Sequence, residues 1–317
     1  MDTTGVVLRD VRDDDDLDAI NAGCTVWFSG GRVRELMAVR DGTPKEMWVA
    51  ELGGETAGFG QVVGAGVTDG HRGIVYVWVR PGARRRGVGT ALWRAALDVA
   101  TSDRVHGVMV QIDEADTTTT GIALAHGLTR RGLHLESELD LSGVEALRPL
   151  AVAPRAPGIE LHALPDDGEQ RWRDLAPVLH RLMADTPDNA DGSEDMPYAI
   201  LRTILKESWQ VFGAWRDDKL VGLTTATVRD ADRRRLNTIL TAVDREVRGL
   251  GLATALKTSH ALALHEAGWS TIVTQNMEGN DAILAINRKL GFVPTLGKRD
   301  LSLDYARRPA PGVGSPP

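Results

Sequence analysis

The sequence predicts a mixed α/β protein made of two tandem domains of like construction, and three observations carry that prediction. The chain has 317 residues, above the usual size of one domain, so two cores of about 150 residues each are expected. Its glycines keep one register: Gly58 and Gly222, Gly87 and Gly251, and Gly127 and Gly291 are each 164 residues apart. Chance does not hold a single offset through about 70 residues of intervening helix and strand, so a duplication is read. The third observation is the order of elements, which reads alike in both halves.

Each half opens on a strand, "VVLRDV" or "IELHAL", followed by a helical region whose start Asp13 to Asp16, or Asp166 and Asp167, can cap and charge. These opening strands are offset by only 153 residues, so the second half carries a longer first-helix region. Two strands joined by a polar turn follow, with "GG" and "DD" marking the hairpins. A nearly continuous apolar strand comes next ("GIVYVWV"; "NTILTAV"), then a glycine-rich turn and an amphipathic helix ("GTALWRAALDVA"; "ATALKTSHALALHEA"). A strand, a helix ending in "HGL" or "LGF" and a final strand complete each unit. The domains are therefore placed at 1–148 and 159–306. Pro149, Pro154 and Pro157 mark 149–158 as a linker, and the composition of 307–317 is that of a disordered tail.

Composition narrows the function. A hydrophobic fraction of 42% and a charged fraction of 26% are ordinary for a water-soluble chain, and no apolar run is long enough to span a bilayer. The acidic start, "MDTTGVVLRDVRDDDD", lacks the basic and apolar character of a signal peptide, so a cytoplasmic location is expected. Cys24 is the only cysteine, which excludes an internal disulfide or a Cys-based zinc site; the histidines lack metal-ligand spacing, and no metal is expected. A net charge of −7 argues against nucleic acid as partner and favours a cationic substrate. The acidic stretch with Asp185, Asp188, Asp191, Glu194 and Asp195 is either an attractor for that cation or a solvated segment.

The two glycine turns carry the chemistry. A strand that ends in such a turn and opens into a helix presents unpaired N–H groups and the positive end of the helix dipole at one point, which binds anions. Gly87 and Gly89, or Gly249 and Gly251, keep side chains away from the main chain, and Arg84, Arg85, Arg86 and Arg248 add positive charge. A Walker A loop needs Gly-Lys-Ser/Thr and a dinucleotide fingerprint needs a third glycine, where these turns have Leu92 and Thr254. The ligand expected is a phosphorylated small molecule, bound without nucleotide hydrolysis or nicotinamide chemistry.

The stretches "VRPGARRRGVGTAL" and "VDREVRGLGLATAL" resemble the acetyl-CoA signature of the GCN5-related N-acetyltransferase (GNAT) superfamily, Arg/Gln-x-x-Gly-x-Gly/Ala, as a tandem pair covering nearly the whole chain. That resemblance implies acetyl-CoA as cosubstrate and a small-molecule amine as acceptor; with charge and hydropathy against nucleic acid and membrane as partners, a monomer or homodimer is expected. It implies that Thr241, Ala242 and Val243, with Val77, Trp78 and Val79 in the first half, lie on a splayed strand that pairs with the pantetheine amides. Arg248, Gly249, Leu250, Gly251, Leu252, Ala253 and Thr254 would wrap the pyrophosphate, as would Arg84, Arg85, Arg86, Gly87, Val88, Gly89 and Thr90. Asn276 and Asn280 would contact the pantetheine arm or the substrate; strand-end and capping chemistry is the other reading of both.

The family's reaction is direct attack of an amine on the thioester, often with a tyrosine four residues before the "GF" glycine as proton donor. Asn287 and Ala123 stand there, and neither is an acid. A water held by Asn287, or Tyr198 from the longer region, are the candidates for that role, with Glu278, Asp281 or Asp244 as base. The second half keeps the fuller set of elements and is read as the catalytic one. A non-catalytic acyl-CoA-binding sensor or partner module is the alternative.

Overall fold

The computed structural model describes residues 5–12, 15, 45–64, 72–100, 107–153, 156–165, 168–184, 186 and 198–304. Cys24, Asp13, Asp16, Asp166, Asp167, the acidic residues from Asp185 to Asp195 and the tail 307–317 lie outside them. The chain forms two compact units: unit 1 holds residues 1–111, 118–131 and 300–317, and unit 2 holds 112–117 and 132–299.

In unit 1 the strands run in the order β1 (Val6–Asp10), β2 (Lys45–Leu52), β3 (Glu55–Gly64), β4 (Gly73–Val79), β5 (Gly107–Asp113) and β13 (Lys298–Asp304). Strands β1 to β4 are antiparallel neighbours, and β4 pairs with β5 in parallel. Helix α1 (Val88–Ala100) packs Leu92 and Ala96 against Ala50, Val62, Val75 and Val108, and α2 (Thr117–Ala125) precedes the last strand of the half.

In unit 2 the order is β6 (Thr129–Asp140), β11 (Thr271–Met277), β10 (Arg235–Val243), β9 (Lys219–Asp230), β8 (Val211–Arg216) and β7 (Glu160–Ala163), with the short β12 (Val293–Pro294) on β6. Helix α5 (Leu252–Glu266) covers Leu236 and Ile272 on one face of this sheet, where Leu262, Leu264, Leu290 and Phe292 close the core. Helices α3 (Glu169–Ala184) and α4 (Tyr198–Ile204) precede β8, and α6 (Asp281–Lys289) follows β11.

The repeated glycines have packing reasons. A Cβ on Gly58 would lie 2.7 Å from the Trp78 carbonyl and 2.9 Å from Val88; one on Gly222 would lie 2.7 Å from Val243 and 3.3 Å from Leu256. Each glycine thus lets the helix after the turn settle on the strand. The hairpin turns also hold: Gly53 and Gly54 have φ of 65° and 83°, and Asp217 and Asp218 have 49° and 60°, the left-handed pair that a two-residue hairpin needs.

Two features differ from the sequence reading. The last strand of each half lies in the other unit: β13 closes unit 1, whereas most of β6, from Gly132, belongs to unit 2, where it pairs antiparallel with β11 from His134↔Met277 to Asp140↔Thr271. Periodicity identifies a strand but not its neighbour, so a tandem repeat does not reveal such an exchange. The start of the linker is also ordered. Residues Leu141–Ala151 form a 3-10 helix that includes Pro149, buries Leu141 and Val144, and is capped by Asp140 accepting from the Ser142 N–H at 2.8 Å.

Exchange of the C-terminal strand makes Gly107 a sensitive position, because a Cβ there would lie 2.3 Å from the Leu303 carbonyl oxygen. Backbone cannot give way as a side chain tip can. Gly107→Ala is expected to destabilise the protein by about 1–3 kcal/mol, read as a lower denaturant midpoint at unchanged m-value.

Candidate functional site

Strands β10 and β11 share Cα partners only from Arg235↔Thr271 to Thr238↔Thr274. Beyond that point β10 stays on β9 as far as Val243↔Gly222, and β11 stays on β6 as far as Met277↔His134. The two parallel strands therefore separate, and among the described residues the edge of β10 from Ile239 onward has no strand partner on that side. The cause is local: the β9/β10 register shifts between Thr238 and Thr241, a bulge that turns the strand. The Leu240 N–H is taken by the Thr225 hydroxyl at 3.1 Å, and Thr241 is fixed by a 2.8 Å hydroxyl pair with Thr224. In unit 1, β4 and β5 pair only at Gly73 and Ile74 before separating, but β3/β4 runs through without a bulge.

Strand β10 leads into the second glycine turn. Gly249 and Gly251 have φ of 76° and 85°, and Gly251 is the N-cap of α5. Among the described residues no side chain caps this end, and no acidic residue lies in the first turn, so the first N–H groups of α5 are left without an intrahelical or side-chain partner. The first turn is built alike, with Gly87 at φ 85° and α1 likewise without an acid in its first turn. Arg84 donates Nε to the Val79 carbonyl and Arg248 donates Nε to the Val243 carbonyl, both at 3.1 Å. Each arginine thus ties the turn to the strand end while its exposed guanidinium stays beside the helix N-terminus. Arg85 has φ 65° where the second turn has glycine, a strained conformation for a residue with a Cβ. Both turns suit a diphosphate, since main-chain donors, a positive helix end and arginines meet at one point.

A family model described as acetyltransferase (GNAT) family matches residues 17–127 and 176–292. The chain belongs to the acetyltransferase (GNAT) family. Membership makes it an acyltransferase with two GNAT domains. Among solved structures it is similar to a tandem GNAT protein from the clavulanic acid biosynthesis pathway, solved without AcCoA. That likeness has TM-score 0.70 and 22% identity over 96% of this chain and 99% of that one. A GCN5-related N-acetyltransferase from Sphaerobacter thermophilus gives TM-score 0.67 at 16% identity, covering 96% and 97%. A glucosamine N-acetyltransferase region in a fungal multi-domain GH3 β-N-acetylglucosaminidase gives 0.70 at 16% identity, covering 94% of this chain and 38% of that one. At these identities the likeness is one of fold. No curated protein matches the chain, and no helix among the described residues is long and apolar enough to cross a membrane.

Within this GNAT fold several expected residues come together. Thr241, Ala242 and Val243 lie on the separated end of β10, directly before the turn 248–254; Val77, Trp78 and Val79 hold the same place before 84–90. Asn276, near the end of β11, accepts a hydrogen bond from Nδ2 of Asn287 on α6 at 2.7 Å. Asn287 is only 2% exposed and among the described residues its Oδ1 has no partner, so the pair presents a buried acceptor open to a donor. Asn280 stands at the N-cap of α6, yet its side chain does not cap, which leaves the amide for another ligand.

The other candidates have the following surroundings. Tyr198 begins α4 and donates its hydroxyl to Glu169 at the start of α3. Burial, then that carboxylate, raise its pKa and make it a weaker acid. Glu278 is exposed in the turn after β11, where its N–H donates to the Leu133 carbonyl at 2.7 Å. Asp244 is buried and ion-paired with Arg181, and Asp281 is exposed in the first turn of α6. Among the described residues no group of His, Cys, Asp and Glu could hold a metal.

Two titratable residues are buried on α5. Lys257 on α5 is 5% exposed, its ammonium 4.8 Å from the ring of Phe292, and burial pushes its pKa down to about 7. His260, one turn on, stacks on Phe212 and hydrogen-bonds the Trp209 carbonyl at 3.0 Å; burial lowers its pKa to about 4. A carbonyl only accepts, so Nε2 carries the hydrogen and His260 is a neutral core residue.

Proposed function

We propose that the protein transfers an acetyl group from acetyl-CoA to the primary amine of a small molecule by direct attack, and that unit 2 carries the reaction. The observation behind this is the continuity of opening, bulge and uncapped turn along β10: the pantetheine arm lies along Thr241 to Val243, and the diphosphate on residues 248 to 254. The amine nitrogen forms the new bond to the acetyl carbon, the carbon–sulfur bond breaks with its electron pair going to sulfur, and the proton lost by nitrogen balances the one gained by the thiolate. Thiolate is a good leaving group near neutral pH, so positioning supplies much of the rate without a strong acid. Asn287, held by Asn276, orients the sulfur end or a water there; the assignment gives Tyr198 and Glu278 lesser roles. The first unit binds acetyl-CoA or walls the substrate cleft, and the boundaries 1–148, 149–158 and 159–306 remain our reading of the ancestral repeat.

Thiol release from acetyl-CoA across a panel of primary amines tests this. Asn287→Ala is expected to lower kcat about tenfold to 100-fold, within the range of a lost orienting or proton-handling group, with little change in acetyl-CoA affinity. Tight acetyl-CoA binding with no turnover on any amine would instead support the non-catalytic acyl-CoA-binding module, the second reading, which the absence of an acid at Asn287 favours.

A further inference from the structure

The face of the unit 2 sheet turned away from α5 carries polar groups that acyl transfer alone does not explain. Thr225, Thr227 and Arg229 alternate on that face of β9. Thr227 stands opposite Asn237 of β10, and Arg229 ion-pairs at 3.1 Å with Glu136 of β6. Glu136 stands opposite Gln275 of β11 and accepts from its Nε2 at 2.7 Å. A carboxylate cannot donate at neutral pH, so this bond fixes which way the Gln275 amide faces: Nε2 towards Glu136, Oε1 away. Among the described residues Oε1 is buried and unpartnered, and so is Oδ1 of Asn237, a residue only 5% exposed. Buried acceptors without donors are rare enough to need an explanation, and two on neighbouring strands of one face point to a ligand that donates.

Their place along the strands is informative. The last β10/β11 partners are Thr238 and Thr274, so Asn237 lies one residue before the opening on its strand and Gln275 one residue beyond it on the other. Beside them, at the bulge, Ile239 and Leu240 line a recess with Leu179 and Met183 of α3 and Leu201 and Ile204 of α4. The hydroxyl nearest this recess, on Thr225, already serves the Leu240 N–H. The wall is otherwise aliphatic, and a hydroxyl-rich ligand would leave its polar groups unpaired against it.

We infer that the acceptor, on the acyltransferase reading above, is an amphipathic primary amine whose nitrogen is received by the amide oxygens of Gln275 and Asn237 and whose apolar group occupies the recess between α3, α4 and the β10 bulge. Amide oxygens accept from an ammonium and from a neutral amine alike, so this hold survives the proton loss that attack requires. Glu136, committed to Arg229 and Gln275, orients the Gln275 amide and acts as a positioning residue.

The test uses the full-length chain, acetyl-CoA and four amines: hexylamine and phenethylamine against ethanolamine and glucosamine. The apolar pair is expected to give kcat/KM about tenfold or more above the polar pair, the scale that one well-filled apolar pocket supplies. Ile239→Asp, at a position 41% exposed and so tolerable to the fold, should remove that preference while acetyl-CoA affinity stays within about twofold. Gln275→Met should raise KM for every amine and keep the preference. Faster turnover of the polar pair, or an unchanged preference in Ile239→Asp, overturns the inference and leaves acetyl transfer standing. Absence of turnover with all four amines, together with tight acetyl-CoA binding, overturns the transfer reading and the inference with it.

Discussion

Gly251→Val is expected to remove acetyl-CoA binding at the unit 2 turn and to lower turnover by about 100-fold or more, the scale of loss when a reacting group is displaced by an ångström. The reason is conformational and positional at once. Gly251 has φ 85°, and a Cβ built there meets nothing within 4 Å. The added Cβ therefore has room, and the substitution costs about 1–2 kcal/mol of left-handed backbone strain, which a folded domain survives. The open space around that Cβ is the space beyond the helix N-terminus, where an anion would lie against the unpaired N–H groups of α5. Valine fills it with methyl groups. Gly87→Val makes the same change in the first turn, whose glycine has the same φ, and is expected to leave turnover within about threefold if unit 2 is catalytic. Binding titrations and thiol release on both variants, with thermal melts to confirm folding, decide the matter. Loss on Gly87→Val with Gly251→Val unaffected would assign the reaction to unit 1.

Much of this arrangement was legible in the chain because the informative residues are glycines with local reasons. Gly58 and Gly222 mark the helix contact on the second hairpin strand, and Gly87 and Gly251 mark the left-handed cap, so a fixed offset between them reports a repeated fold. Other features rest on contacts that no local pattern encodes. The exchange of β6 and β13 is a choice of neighbour, and the bulge at Ile239 and Leu240 interrupts a run, "NTILTAV", that reads as one smooth strand. Asn237 did leave a trace, as an amide in a stretch otherwise aliphatic and hydroxyl-bearing, "LNTILTAV", whereas Gln275 stands beside a second amide, Asn276, in "TIVTQNM". Their common face is set by cross-strand register, Thr227 opposite Asn237 and Glu136 opposite Gln275, which no local pattern encodes. Arg85, in a conformation that favours glycine, shows the converse, a special backbone position hidden under an ordinary basic run.

Lys257→Met is expected to raise the stability of the protein, with a gain that is large at pH 7 and shrinks towards pH 10. The lysine is buried on α5, and among the described residues its ammonium makes no hydrogen bond or ion pair, only the contact with the Phe292 ring. Desolvation alone moves its pKa from 10.5 to about 7. In the unfolded chain the same group titrates near 10.5, so between the two values the unfolded state holds a proton that the folded state has released, and stability rises with pH through that window. Below pH 7 both states are protonated and the full cost of the buried charge is present. At about 1.4 kcal/mol for each pKa unit, that cost is of the order of several kcal/mol. Methionine has a similar length and no charge, and it suits a site against an aromatic ring. His260 does not confuse the comparison, since its lowered value, about 4, places its titration below pH 7. Lys298, also lowered by burial, is common to both proteins and cancels in their difference. Denaturant midpoints of the two proteins at pH 7, 8.5 and 10 should therefore converge as pH rises. A constant gap would show that Lys257 does not titrate in this range. A methionine variant less stable at pH 7 would show that the Phe292 ring compensates the buried charge in full.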